Sequence, residues 1–147
     1  MLQLFVFLSL LALGYLAGNA AEQKHYASIK ERERRTLSVP VYNIGAKQPF
    51  PEAEGAQLFV GSVVISSDYF KTFLASLSKI VGGQIFAYDS LLDRGRREAL
   101  LRMKEEAIRW GAKKVINVRL ETATIGSSSG DSGILSIEVI AYGTGIR

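Results

Sequence analysis

An uncharged segment at residues 1–21 opens the chain and constrains its fold more than any other feature. Residues 2–17 within it are apolar apart from Gln3 and Ser9. About 20 helical residues, each rising 1.5 Å, cross the roughly 30 Å hydrocarbon layer of a bilayer, so this segment is long enough to span one. We therefore predict a transmembrane helix at residues 1–21.

A cleaved secretory signal peptide is the alternative interpretation of this segment. Gly18-Asn19-Ala20 is compatible with a small-residue cleavage site, but no Lys or Arg precedes the apolar run, and signal peptides begin with basic residues. A retained, single-pass anchor is therefore favoured. Basic residues cluster after the run, so the positive-inside rule places the N-terminus outside and the C-terminal domain in the cytoplasm, beneath an inner (cytoplasmic) membrane. These basic residues are Lys24, Lys30, Arg32, Arg34 and Arg35.

Small residues line one face of the predicted helix. Gly14, Gly18 and Ala21 follow the i, i+4, i+7 spacing, and His25 continues the same line. Such residues let transmembrane helices approach closely, although glycine is also common in these helices for no specific reason. His25 lacks a second ligand nearby in the sequence, so we interpret it as a packing or hydrogen-bonding residue rather than a metal ligand.

Composition excludes several classes of function. The chain of 147 residues has no cysteine and a single histidine, which excludes disulfides, thiolate metal sites and Cys/His zinc sites. The net charge of +4 comes from basic residues interleaved with acids, a pattern that does not favour nucleic-acid binding. Beyond residue 25 neither His nor Cys occurs to act as base or nucleophile, so we predict no catalytic residues, cofactor or metal site and no enzyme activity.

Residues 22–37 continue without Pro or Gly and predict a juxtamembrane helix, and residues 38–147 predict an α+β domain. Hydrophobic periodicity indicates the elements of this domain. Strands are predicted at residues 39–44, 57–66, Lys114–Ile125 and 134–142, and helices at about 68–81 and 87–110. This order predicts a small antiparallel sheet with both helices on one face. Gly61 in the second strand indicates either a bulge or a close backbone approach.

Glycines end both predicted helices. Gly82-Gly83 follows the first helix and Gly111 the second, each in the position where a left-handed residue stops a helix. The buried stripe of the second helix is predicted at Leu91, Leu92, Ala99, Met103, Ala107 and Trp110. Its arginines are expected on a solvated face, with Glu98 and Arg102 paired at i, i+4. The third strand is expected to alternate regularly. Residues 126–133 are expected to form a flexible hairpin tip, with an anion site built from serine hydroxyls and backbone amides as the alternative.

The domain resembles the YbjQ-like family, commonly labelled "putative heavy-metal-binding", over about residues 57–146. The residues that carry the resemblance are Val81-Gly82-Gly83, Tyr88, Arg94, Glu98-Ala99, Met103, Glu106-Ala107, Gly111-Ala112, Val115 and Gly143-Thr144. The apolar N-terminus followed by Ala21-Glu22, His25-Tyr26 and Arg32-Glu33 is similar to the membrane-anchored branch of that family.

This resemblance implies a dodecin-like subunit that assembles into a homopentameric ring, in a family whose biochemical role is not established. We therefore expect a non-enzymatic, membrane-anchored homo-oligomer whose partners are its own copies and the lipid bilayer. A metal-binding or metal-sensing module at the membrane is the alternative. The residues expected to serve structure or assembly are Gly14, Gly18, Ala21, Gly82, Gly83, Tyr88 and Gly111.

Overall fold

The computed structural model of the protein describes residues 2–45, 49–66, 86–125 and 136–147, without the side chains of residues 86–88 and 124. A long helix, α1 (Leu2–Arg35), precedes the short strand β1 (Val41–Tyr42) and the strand β2 (Ala56–Ser66). The helix α2 (Phe86–Trp110) then leads into β3 (Lys114–Ile125) and β4 (Ser136–Ile146). Residues 38–147 are called the body below.

The four strands form one mixed sheet in the order β1-β3-β4-β2. β4 pairs antiparallel with both β2 and β3, but β1 runs parallel to β3, with Val41 opposite Val115. The prediction of a purely antiparallel sheet was therefore wrong. β1 and β2 follow each other in the chain yet lie at opposite edges, so no hairpin turn fixes the direction of β1.

The core lies between α2 and the inner face of β2 and β4. β2 alternates regularly: Phe59, Val63 and Ile65 are buried on this face, while the residues between them are exposed. Gly61 belongs to the buried set, because a side chain there would overlap the α2 backbone at Ala99 and Met103. Pairing continues without interruption through Gly61, so the predicted close approach is confirmed and the bulge is not present.

Helix α2 follows the predicted periodicity closely. Ala99, Met103 and Ala107 are completely buried, and the predicted flanking residues Leu92 and Trp110 are half-buried against the same core. Gly111 ends the helix with a φ of +96°, a left-handed conformation that glycine adopts without steric cost. The predicted role of Gly111 as the helix end is thus confirmed.

A β-bulge interrupts the alternation predicted for β3. The register shifts between Ile116 and Arg119, and Asn117 adopts a left-handed φ of +55°. Its Oδ1 accepts hydrogen bonds from the backbone N–H groups of Ile44 (3.2 Å) and Gly45 (3.1 Å), which ties the segment after β1 to the sheet. Asn suits this position because its short polar side chain tolerates the left-handed region. The prediction that side chains alternate regularly along β3 was therefore wrong at Asn117.

The remaining element predictions have mixed outcomes. The juxtamembrane helix predicted at residues 22–37 ends at Arg35, where the Thr36 backbone N–H and Oγ1 both donate to the Arg32 carbonyl at 3.1 Å. β4 extends to Ile146, beyond its predicted end. The helix predicted at about 68–81, the Gly82-Gly83 pair and the tip at 126–133 lie outside the described residues.

Candidate functional site

Helix α1 consists of two parts with different surroundings. Its apolar half, residues 2–21, leaves large side chains in the open: Leu2 is 77% exposed and Phe5 is 71% exposed. Among the described residues α1 is the one helix long and apolar enough to cross a membrane, and an N-terminal signal sequence would meet the same criterion. Its polar half, residues 22–35, instead contacts α2 and contains the fully buried Ile29.

Salt bridges join the polar half of α1 to α2. The carboxylate of Glu98, which is only 3% exposed, accepts hydrogen bonds from Arg32 Nη1 and from Arg102 Nε, each at 2.7 Å. Arg32 also donates through Nε and Nη2 to both oxygens of Glu105, at 2.7 and 2.8 Å. Arg32 therefore bridges two carboxylates of α2, one of them buried.

A second salt bridge is formed by the residues adjacent in sequence to Arg32 and Glu98. Arg97 donates through Nε and Nη2 to both oxygens of Glu33, at 2.8 and 2.6 Å. Its guanidinium also lies 5.8 Å from the ring centroid of Tyr26, whose hydroxyl donates to the Ser90 carbonyl at 3.1 Å. These residues form what we call the ion-pair cluster: Arg32, Glu33, Arg97, Glu98, Arg102 and Glu105.

The cluster shifts the pKa values of its acids and bases in opposite directions. Burial pushes the pKa of Glu98 upward, but the hydrogen bonds and charges of Arg102 and Arg32 outweigh burial and hold that pKa below its usual value. The hydrogen bonds from Arg97 and Arg32 lower the pKa values of Glu33 and Glu105 in the same way. The carboxylates in turn raise the pKa values of Arg32 and Arg97, so the pairs that these two arginines form are charged at neutral pH.

Sequence spacing places Glu98 in the interface. Leu91, Glu98 and Glu105 are seven residues apart, so they form one row along α2, and Leu91 is buried. We expected Glu98 and Arg102 to pair on a solvated face. The pair is present, but the prediction that it lies on a solvated face was wrong, because Arg32 from α1 covers Glu98. The signal that would have indicated the burial of Glu98 is its position seven residues after Leu91, in the same row along α2 as that apolar residue.

A cleft of about 500 Å³ lies beside the ion-pair cluster, between α1, α2 and the free edge of β2. Gly18, Ala21 and His25 line it from α1, Ile65 from β2, and Leu91 and Arg94 from α2. The Nε atom of Arg94 is buried and has no hydrogen-bond partner among the residues that the structure describes. His25 Nε2 lies 3.6 Å from Glu98 Oε2, which is too far for a hydrogen bond of normal strength.

The residues predicted for structure and assembly fall in different places. Gly18 and Ala21 line the cleft, whereas a side chain added at Gly14 would meet no described atom within 4 Å. Gly82 and Gly83, and the side chain of Tyr88, lie outside the described residues. The assembly roles of all these residues stay predictions.

The described side chains offer no obvious metal site. In residues 2–45, 49–66, 86–125 and 136–147, no group of three or more His, Cys, Asp or Glu side chains is placed to hold a metal ion. The carboxylates of the ion-pair cluster are each engaged by arginine. Their arrangement stabilises the contact between two helices and leaves no ligand set for a cation.

Comparison with known proteins points to one family. A family model described as "Putative heavy-metal-binding" (YbjQ) matches residues 52–147. A UPF0145 protein of Clostridium novyi strain NT is 38% identical over 96 residues, which are 65% of this chain and 86% of that protein. A UPF0145 protein of Methanococcus maripaludis strain C6 is 37% identical over 108 residues, which are 71% of this chain and 90% of that protein.

Among solved structures, a crystal structure of a protein of unknown function from Pediococcus pentosaceus, assigned to the DUF74 family, is similar. It shares 15% sequence identity with this chain at a TM-score of 0.44, and the match covers 72% of this chain and 92% of that one. The residues matched by the family model lie within the body.

Proposed function

The chain belongs to the YbjQ-like family, described as "putative heavy-metal-binding", and from that premise we propose that it is a non-enzymatic, membrane-anchored homo-oligomer. The observation that carries this proposal is the apolar half of α1. Its large side chains are exposed to solvent, and burying them in a bilayer would remove an unfavourable apolar surface from water. Because all charged residues of α1 lie in the polar half, inserting the apolar half would bury no charged side chain in the bilayer.

Anchoring is tested by placing charges in the apolar half. Leu10→Arg combined with Leu13→Arg adds two charges near the middle of the span, at about 2.5–3.5 kcal/mol each on insertion scales. We expect the wild-type chain to stay in carbonate-washed membranes and the double variant to leave them. Leu37→Arg is the matched control, since Leu37 is 74% exposed just beyond α1. Loss of both variants from the membrane, or of neither, would argue against a span at residues 2–21.

The orientation that we propose is N-terminus outside and body in the cytoplasm, in an inner membrane of the bacterial type. Because the chain has no cysteine, single cysteines report topology cleanly. In intact spheroplasts, a membrane-impermeant maleimide should label a cysteine inserted directly after Met1, ahead of the span, at once and Glu106→Cys only after lysis. The reverse pattern would refute the orientation while leaving the anchor itself intact.

Self-association is supported by the outer face of the sheet, opposite α2. Leu58, Val60 and Val64 project from β2 on this face and are 61%, 54% and 55% exposed. An apolar stripe of this kind, on a strand that forms an edge of the described sheet, favours contact with another protein surface. We propose that the surface is a second copy of this chain, and that the copies form the pentameric ring that the resemblance to the family implies.

Native mass spectrometry of the full chain in detergent measures the number of subunits directly. We expect a ring for the wild-type chain and mainly monomers for Val60→Lys, because the charge would have to be buried between copies. Leu37→Lys places the same charge at a residue that is 74% exposed and lies outside the sheet, and it should leave the ring intact. A wild-type chain that is monomeric at micromolar concentration would overturn the assembly proposal.

The family description makes metal binding the second candidate. Elemental analysis of untagged protein separates the two functions: stoichiometric metal would support a metal-binding module, and its absence would support the assembly alone. His25→Ala is the informative variant if metal is found, since His25 is the single histidine and lines the cleft. Metal retained in that variant would require ligands other than imidazole.

A further inference from the structure

The cleft beside the ion-pair cluster has the composition of a binding site for a charged group with an apolar portion. Its wall from α2 carries Arg94 and Arg102, and its apolar surfaces come from Ile65, Val63 and Leu91. At about 500 Å³ it is within the usual size range of ligand pockets. The cleft shares Arg102 with the ion-pair cluster and Val64 with the sheet surface proposed for assembly, and its other lining residues belong to neither.

Arg94 distinguishes the cleft from an ordinary surface groove. Its Nε atom is buried yet lacks a hydrogen-bond partner among the described residues. Buried polar atoms are nearly always paired, and a charged donor left unpaired is especially unfavourable. An acceptor that enters the cleft would complete the hydrogen bonding of this guanidinium.

The charges around the cleft favour an anion as that acceptor. Glu98 is already compensated by Arg32 and Arg102, so its carboxylate does not neutralise Arg94. Glu22 also lines the cleft and is itself engaged in an interaction. Arginine presents a planar set of donors that matches phosphate oxygens in a bidentate geometry, so phosphate is the anion best suited to it.

The position of the cleft indicates where such a phosphate would come from. Gly18 and Ala21 line the cleft and lie at the end of the apolar half of α1, where the proposed span would leave the hydrocarbon. This is the depth of the lipid headgroups on the cytoplasmic side, where anionic lipids concentrate. The small side chains at these two positions leave α1 open toward the cleft.

We propose that this cleft binds a phosphate group through Arg94 and that an acidic phospholipid supplies it, with the upper part of an acyl chain against Ile65 and Leu91. The lipid as source rests on the membrane anchoring proposed above, whereas phosphate recognition by Arg94 does not. One lipid would be held per subunit, at the junction between the span and the body.

Native mass spectrometry of the delipidated full chain tests the proposal, with dioleoyl-phosphatidylglycerol and dioleoyl-phosphatidylcholine as probes. We expect phosphatidylglycerol to be retained at one per subunit and at least about fivefold more than the zwitterionic lipid with the same chains. Arg94→Gln should abolish this preference. Arg96→Gln is the matched control, because Arg96 is exposed two residues further along α2 and should retain the preference.

A second variant guards against misfolding of Arg94→Gln. Ala21→Phe fills the cleft from α1 without changing a charge, and it should also lower the phosphatidylglycerol count while circular dichroism stays unchanged. Equal retention of the two lipids by the wild-type chain would overturn the lipid proposal. Loss of the preference in Arg96→Gln as strongly as in Arg94→Gln would show a general charge effect and overturn the cleft as its site.

Inorganic phosphate distinguishes the two sources of the same group. Release of bound phosphatidylglycerol by millimolar phosphate in the wild-type chain would support recognition of the phosphate itself. Phosphate binding that depends on Arg94, without any retention of phosphatidylglycerol, would overturn the lipid as the source and leave a soluble phosphate compound. Because Arg94→Gln should still sediment with membranes, failure of this proposal is separate from failure of the anchor.

Discussion

The two halves of α1 belong to one continuous helix but are stabilised in different ways. In the apolar half, side chains such as Leu2 and Phe5 are largely exposed among the residues that the structure describes. In the polar half, Ile29 is fully buried, and Arg32 and Glu33 form bidentate salt bridges with α2. The body therefore packs against the polar half and meets the apolar half only at its end, where Gly18 and Ala21 line the cleft.

This contrast shows which interactions fix the anchor relative to the body. Long-range salt bridges between half-buried groups are directional, so they set the angle at which α1 leaves the body. The apolar half needs only a surrounding medium of low polarity, which a bilayer provides without specific contacts. In the anchor that we propose, the polar half would set the angle between α1 and the body, and the apolar half would place the chain in the membrane.

The largest loss of stability is expected from a substitution in β2 where it packs beneath α2, because the polar half of α1 packs on that helix. In Gly61→Val the side chain would overlap the backbone at Ala99 and Met103, and overpacking of this kind should destabilise the body by more than about 3 kcal/mol. Ser62→Val changes the next residue, on the exposed face, and should have little effect. Thermal unfolding followed by circular dichroism measures both; similar melting temperatures would contradict the close packing.

Next in size is the loss of the buried acid. Glu98→Ala leaves Arg32 and Arg102 without their shared carboxylate, which should lower the free energy of unfolding by about 2–3 kcal/mol. Glu106→Ala removes an exposed partner of Arg109 and should change it by less than about 0.5 kcal/mol. If both variants unfold alike in denaturant, the cluster does not hold the polar half in place.

Low pH should weaken the salt bridges that hold the polar half of α1 against α2. The pKa values of Glu33, Glu98 and Glu105 are lowered in the folded state, so the folded chain binds fewer protons than the unfolded chain. Their stabilisation is therefore complete above the ordinary glutamate pKa of 4.5 and is lost as the pH falls through the lower folded values. Between pH 7 and pH 3, the melting temperature of the wild-type chain should fall further than that of Glu98→Gln/Glu105→Gln. A parallel fall in both would contradict this assignment.

The smallest effect is expected from a substitution in the apolar half of α1, where association between spans is measured. Gly14→Leu adds bulk on the predicted packing face of the span and should weaken association between spans by about 1 kcal/mol. Ala12→Leu adds a similar side chain on the opposite side of the helix and should leave association unchanged. Native mass spectrometry at increasing detergent concentration measures how readily the oligomer of each variant dissociates. If both variants dissociate equally, Gly14 does not lie on the packing face.

Local patterns predicted the elements of the body well, and long-range contacts account for what they missed. Alternation in β2, the stripe of α2 and the helix end at Gly111 depend on neighbours within a few residues, and all three are confirmed. The parallel pairing of β1 and the burial of Glu98 depend on partners more than 60 residues away, which no local period encodes. The left-handed Asn117 bonds across a similar distance, to Ile44 and Gly45.

The apolar half illustrates a different difficulty. Its sequence predicts a helix long enough to span a membrane, and α1 has that length, but a retained anchor and a signal peptide share this property. Length and hydropathy cannot separate them, because the difference lies in whether the chain is cut. The docked polar half would persist in either case, since its contacts begin after Ala21.

Intact-mass measurement of the chain recovered from carbonate-washed membranes tests the central claim most directly, because anchoring requires that the apolar half be retained. Our account predicts the full chain of 16.1 kDa in the membrane fraction. A soluble chain that begins at Ala21, cut after Ala20, would contradict it.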